Sequence, residues 1–196
     1  MGSGSVRRIP SEEEERQRLA QPPGPYPEGY ESDVTLKDGT ALHLRPIRPD
    51  EGPALLRLYD RLSDESLYQR FFVVPAKDAA KADYLAHVDY HDQFAVVALK
   101  DGEIVAVARY HRNAARPDHA EVAFTVADAL QGKGIGSILF ARLAAIAREN
   151  GVAVFDAEVL TTNTGMLRVF EKSGCPLERR TEGDRYLLEI GIAEKV

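Results

Sequence analysis

Hydrophobic and polar positions alternate with different periods along the chain, and each change of period marks an element. Val34 to Leu36 and Ala41 to Leu44, separated around Asp38-Gly39, predict a hairpin closed by a type I′ turn. Pro46-Ile-Arg-Pro-Asp50 breaks that pattern and starts a helix in which Leu55, Leu56, Leu58, Tyr59 and Leu62 recur at helical spacing. Ser63 to Ser66 restarts a helix that runs through Leu67 to Phe71 and stops at Pro75. A third short helix is predicted over Asp78 to Val88. Strand periodicity returns over Phe94 to Leu99, turns at Asp101-Gly102 and continues from Ile104 to Tyr110. The polar run His111 to Asp118 predicts a loop before the next strand, Glu121 to Val126. A long helix over Gly134 to Asn150 buries Ile135, Ile138, Leu139, Leu143 and Ile146, and Gly151 supplies its stop. A strand over Val152 to Leu160, a helix over Asn163 to Ser173 and two strands, Leu177 to Thr181 and Tyr186 to Ile190, complete the order. The whole predicts an α/β fold: one domain with a mixed, mostly antiparallel central sheet and flanking helices.

The first 33 residues carry none of these periods. Glu12 to Glu15 can form a short solvated helix with Arg16 and Arg18, whereas Pro22, Pro23, Pro25 and Pro27 favour an extended linker. The expectation is a flexible Pro/Glu-rich tail over 1–33, with Tyr26 and Tyr30 as its only docking groups, and a folded domain over 34–196.

Composition narrows the classes. At 196 residues, with 44% hydrophobic and 29% charged positions, the chain can build a full core. Its net charge is −6, and the tail, with four Arg against seven acids, supplies half of that. No basic footprint for nucleic acid exists. Cys175 is the only cysteine, which excludes a disulfide framework and a Cys-based zinc site and fits a cytoplasmic setting. No apolar run approaches the ~18 residues of a membrane span, and no secretory segment opens the chain.

The strongest chemical signal is Gln131-Gly132-Lys133-Gly134-Ile135-Gly136-Ser137, between a strand and the long helix. A helix start presents unpartnered N–H groups and a positive dipole end, and glycines let phosphate oxygens approach the backbone. A P-loop is excluded because Lys133 precedes Gly134. A dinucleotide fingerprint fails because the third glycine is replaced by Ser137. No Gly-x-Ser-x-Gly elbow occurs.

An amine that is to act as a nucleophile needs a free lone pair, and deprotonating a Lys at pH 7 costs about 4.6 kcal/mol. Glu121 shares a strand face with Ala123 and Thr125, opposite Val122, Phe124 and Val126, and is the candidate base. On position alone it reads equally as a solvent-facing glutamate. His111 and His119, flanking the polar loop, are the other candidate bases. His87 and His91 are four apart but lack a third ligand, so no metal is assigned. Arg57 and Arg61 read as an exposed pair, and with Arg70 they are the cations expected to face an acceptor.

Gln-x-x-Gly-x-Gly is the pyrophosphate loop of the GNAT N-acetyltransferases, and the chain resembles that superfamily from about Ala41 to Ile190. Leu44-Arg-Pro-Ile-Arg-Pro-Asp50, Arg70-Phe-Phe72, His87-Val-Asp-Tyr90, Val107-Ala-Arg-Tyr110 and Ala120 to Val126 are most similar to the bacterial Pat-type protein lysine acetyltransferases. The resemblance implies acetyl-CoA as co-substrate, with residues 131–137 on its pyrophosphate. It also implies the backbone of Phe124, Thr125 and Val126 along pantetheine, Asn163 touching that arm and Phe170 beside it. It further implies Glu121 as base, a protein lysine as acceptor, an acyl-CoA synthetase as partner, and a fused regulatory or synthetase-like domain beyond these 196 residues. Two departures stand out: Phe170 replaces a Tyr that protonates the leaving thiolate in many members, and Cys175 follows Gly174 where Phe is common. A small-molecule amine acetyltransferase and a non-catalytic CoA-binding module are the alternatives.

Overall fold

The computed structural model describes residues 12–72 and 78–193. Helices are α1 (Glu12–Leu19), α2 (Gly52–Asp60), α3 (Asp64–Phe71), α4 (Ala79–Ala86), α5 (Ile135–Glu149) and α6 (Thr164–Glu171). Strands are β1 (Ser32–Thr35), β2 (Ala41–Pro46), β3 (Gln93–Lys100), β4 (Glu103–Asn113), β5 (Arg116–Val126), β6 (Val154–Leu160), β7 (Leu177–Glu182) and β8 (Arg185–Gly191). They form one sheet in the order β1-β2-β3-β4-β5-β6-β8-β7. Every neighbouring pair is antiparallel except β5–β6, which is parallel. The expected α/β class and element order hold. No helix among the described residues is long and apolar enough to cross a membrane.

Helices cover both faces. Tyr110 points toward α5, where its hydroxyl accepts from Asn150 Nδ2 at 2.7 Å and its ring lies 6.3 Å from that of Phe155. The next residue back, Arg109, points the other way and donates to the Leu85 carbonyl on α4. Leu139, Leu143, Ile146 and Phe140 of α5 are buried, as periodicity required, while Ile138 is only half-buried.

Three local expectations change. Gly39 has φ 84° but Asp38 is not left-handed, and Gly39 N donates to Leu36 O at 3.0 Å. The β1–β2 connection is therefore a type I turn closed by a left-handed glycine, not type I′. The polar run 111–118 is mostly strand: β4 continues to Asn113, whose Oδ1 accepts from the amides of Ala115 (2.9 Å) and Arg116 (3.2 Å) to make a tight turn. The stop expected at Pro75 lies outside the described residues, but α3 already ends at Phe72, in the left-handed region at φ 58°.

The boundary expected at residue 33 also moves. Residues 1–11 lie outside the description and α1 is the solvated helix expected, but the Pro-rich segment after it runs along the domain and strand pairing begins at Ser32. Aromatic burial overrides the linker composition. Tyr26 packs edge-on to Tyr90 at 5.9 Å and Tyr30 to Phe94 at 5.7 Å, and the Tyr30 hydroxyl donates to Glu149 at 2.5 Å. Arg18 Nε donates to His87 O at 2.8 Å, and His87 Nε2 meets Gln21 O at 2.7 Å. At Gly24 a Cβ would stand 2.2 Å from the Asp89 carbonyl oxygen.

Gly24→Ala is accordingly expected to lift the segment off, costing about 1–3 kcal/mol in denaturant unfolding, with faster proteolytic cutting within residues 20–31. Unchanged stability and cutting would mean the contact is not made. Burial pushes the Tyr26, Tyr90 and Tyr110 phenols up to about 12. Protons held more tightly in the folded state stabilise it fully below the unfolded value of about 10, and that contribution is lost as pH climbs through 12. The tyrosinate absorbance titration of the native protein should therefore lag that of the urea-unfolded chain for those three of its eight tyrosines. Coincident curves would show the rings open to water.

Candidate active site

β5 and β6 pair only at His119–Val154, Ala120–Phe155 and Glu121–Asp156. Beyond Glu121 each strand stays on its other neighbour, β5 on β4 as far as Val126 and β6 on β8 as far as Leu160. The sheet therefore opens into a V with Glu121 at its apex, and from Ala123 to Val126 the side of β5 that faces β6 has no ladder partner among the described residues. A cleft of about 340 Å³ fills the V, walled by β5, by Ala157 to Val159 of β6, by α6, and by Ser66, Gln69 and Arg70 of α3.

The glycine-rich loop closes one end. Gly132 (φ 75°) and Gly134 (φ 91°) hold conformations that side chains disfavour, and Gly134 caps α5 with no side chain on its first-turn amides. Those amides and the helix dipole present positive potential there, and Arg168 of α6 and Lys172 at its C-cap line the same cleft. Gly136 lets α6 approach, since a Cβ there would lie 3.1 Å from Val169 Cγ2.

The structure gathers most of the expected residues here. Phe124, Thr125, Val126, Gln131, Gly132, Gly134, Ile135, Gly136, Ser137, Asn163 and Phe170 all line the cleft. Lys133 does not line it: its ammonium pairs with Asp38 at 2.9 Å, which with the Thr40 amide holds that carboxyl well below the usual range. The Gln131 side chain is engaged within the protein, donating to Val126 O at 3.1 Å. Asn163 Oδ1 caps α6 by accepting from Met166 N at 3.0 Å. Phe170 is buried against Phe124 (5.9 Å) and Phe140 (5.8 Å) and has no proton to give. Thr125 Oγ1 is buried and has no hydrogen-bond partner among the described residues.

Glu121 is half-buried and pairs across β4–β5 with His111. It also lines a second cleft, of about 310 Å³, over β6, β8 and β7. Ala157 and Glu158 line both clefts, so the two adjoin along β6. On the second, Arg116 bridges Asp156 (2.9 Å) and Glu189 (3.2 Å), and His119 Nδ1 lies 3.1 Å from Asp156. Both candidate histidines thus stand on strands rather than in a loop. Burial pushes the His111 imidazole below its ordinary value, helped by Arg18 and Arg109 and opposed by Asp89 and Asp92. Burial also lowers the Arg70 and Arg109 guanidiniums, Arg109 to about 10; Tyr59 and the nearby Glu121 charge work against this at Arg70. Arg57 faces Glu103 and Arg61 donates to Ile104 O, so of the three expected acceptor-facing cations only Arg70 reaches this site.

Arg168 and Lys172 were legible as an i,i+4 pair on the helix after Asn163 but were not singled out. Ser66 and Asp128 could not have been found, because they meet across 62 residues of sequence.

Comparison with known proteins agrees with this geometry. Residues 58–175 match the model of the Acetyltransferase (GNAT) family. Acetyltransferase Pat of Mycolicibacterium smegmatis is 38% identical over 170 residues, covering 86% of this chain and 49% of that protein, so this chain spans about half of that relative. Acetyltransferase PA5475 of Pseudomonas aeruginosa is 34% identical over 123 residues, 60% of this chain and 65% of that one. The crystal structure of the GNAT domain of S. lividans PAT has a TM-score of 0.78 and 40% identity, covering 85% of this chain and 99% of that one. A cAMP-binding acyltransferase from Mycobacterium smegmatis has a TM-score of 0.59 and 32% identity, covering 91% of this chain and 50% of that one.

Proposed function

Because this chain belongs to the GNAT acetyltransferase family, we propose that it transfers acetyl from acetyl-CoA directly to a protein lysine, with Glu121 as general base. The observation that carries this is the apex of the V. Glu121 is the last β5 residue paired with β6, and it lines a cleft that shares Ala157 and Glu158 with the one closed by the glycine-rich loop.

The residues fit acetyl-CoA. The first-turn amides of α5, with Arg168 and Lys172, would hold its phosphates. The edge of Ala123 to Val126 that β6 leaves open would take the pantetheine amides, and the buried Thr125 hydroxyl has no partner there among the described residues. Backbone N–H groups on the same edge would polarise the thioester carbonyl. Glu121 accepts the amine proton as nitrogen attacks that carbonyl; the C–N bond forms, the C–S bond breaks, and a proton returns to the thiolate. Phe170 cannot return it, which leaves that step to water or Glu121 itself.

A folded protein suits the second cleft. Its rim residues Arg116, Glu178, Arg179, Arg180 and Glu189 are exposed and of both signs, unlike a closed acidic pocket for a polyamine. The Pat-type likeness makes an acyl-CoA synthetase lysine the favoured acceptor. Acetylation there deletes a positive charge and its donors.

Gly134→Asp places a carboxylate on the anion site and is expected to abolish CoA binding in calorimetry while circular dichroism stays native. Unchanged affinity would remove the loop from the donor site. Glu121→Gln should lower kcat by about 10²–10⁴-fold with little change in the acetyl-CoA KM, and higher pH should restore part of the rate by freeing the amine. The assay uses a purified acyl-CoA synthetase, read by mass spectrometry. A wild-type rate in the variant would move the base elsewhere, and spermidine acetylated far faster than the synthetase would favour a small-molecule acceptor.

A further inference from the structure

We propose that Asp128 is a positioning residue: it clamps α3 to the glycine-rich loop, so that filling the donor cleft organises the wall that carries Arg70 toward Glu121. α3 needs such a clamp. It has eight residues, of which only Leu67 is buried, and helices this short are marginal without tertiary support. Yet three of its residues, Ser66, Gln69 and Arg70, form one wall of the donor cleft.

The clamp is built from four side chains. Asp128 occupies the short 3-10 turn Asp128–Leu130, immediately before the glycine-rich loop. Its Oδ2 accepts from the Ser63 amide at 2.9 Å and its Oδ1 from the Ser66 hydroxyl at 2.7 Å. Ser63 in turn caps α3, its Oγ accepting from Ser66 N at 3.2 Å. Gln131, the first residue of the loop, donates to Ser66 Oγ at 3.1 Å and to Asp128 Oδ1 at 3.2 Å while also holding Val126 O. The carboxylate lies at the positive end of α3, where a negative charge is favoured. Burial alone would raise its pKa, but the hydrogen bonds from Ser66 and Ser63 outweigh that and hold it low. The first loop residue and the α3 wall therefore share one hydrogen-bonded junction. A ligand that fixes the loop at Gly132 to Ser137 also fixes the helix start through Asp128 and Gln131, and with it Arg70 one cleft-length away. This assigns the Gln131 side chain to the junction rather than to the pyrophosphate.

The inference rests on CoA occupying the donor cleft, not on the identity of the acceptor, and its test uses CoA alone. Hydrogen exchange of the amides of residues 67–71 is followed with and without saturating CoA, alongside calorimetry. In the unmodified protein CoA should slow exchange at least about 5-fold, the low end of coupling between linked sites. In Asp128→Ala, saturated with CoA, the slowing should fall below about 2-fold, and Asp128→Asn, which keeps one acceptor oxygen, should lie between. Combined with Gln131→Ala, the loss should be non-additive, because both act through one junction. Ser66→Ala removes the hydroxyl's two hydrogen bonds, to Asp128 and from Gln131, but leaves the Asp128–Ser63 bond, and carries the same test where an Asp128 variant does not fold. CoA binding with full protection of 67–71 in Asp128→Ala and Ser66→Ala overturns the clamp alone. No CoA binding by the unmodified protein overturns the donor assignment as well.

Discussion

The site depends on one constraint, the termination of the β5–β6 ladder at Glu121 and Asp156. Backbone N–H and C=O groups in a sheet interior need partners. Ending a parallel pair midway leaves a run of them unpaired within the sheet, which is tolerable only if something else completes it. Here β4 and β8 secure the outer edges of the two diverging strands, so the opening costs no register elsewhere. An open edge of this kind can accept an amide-bearing ligand, much as an exposed sheet edge accepts an added strand. Glu121 stands at the opening because it is the last β5 residue paired with β6 before the strands part.

Around that opening, polar links do work that apolar packing does elsewhere. The core between the sheet and α5 is aromatic and aliphatic throughout. The elements at the cleft are held differently. Lys133 ties the glycine-rich loop to the β1–β2 turn through Asp38, and Asp128 ties it to α3. Directional bonds specify geometry more sharply than apolar contact does, and a broken one leaves a charged partner unpaired. A wall that must meet a ligand to within hydrogen-bond distance is better served by such links than by more leucines.

The sequence by itself determined the element order, the antiparallel character of most of the sheet, the buried stripe of α5 and the glycine-capped, side-chain-free start of that helix. Each follows from a local rule: side-chain period, glycine at a left-handed position, an uncapped helix start. Glu121 was legible only as a strand residue facing away from Phe124. That it stands at an apex came from where β5 and β6 stop pairing, which no residue in either strand announces. Tertiary packing also decided that Tyr26 and Tyr30 turn a proline-rich segment into part of the domain, because rings distant in sequence lie ready to receive them. It decided that Lys133 serves Asp38, that Gln131 serves Ser66 and Asp128, and that the run 111–118 pairs instead of looping. The Lys133–Asp38 and Gln131–Ser66 links rest on partners tens of residues away, and hydrogen bonds and ion pairs between such partners leave no period in the sequence.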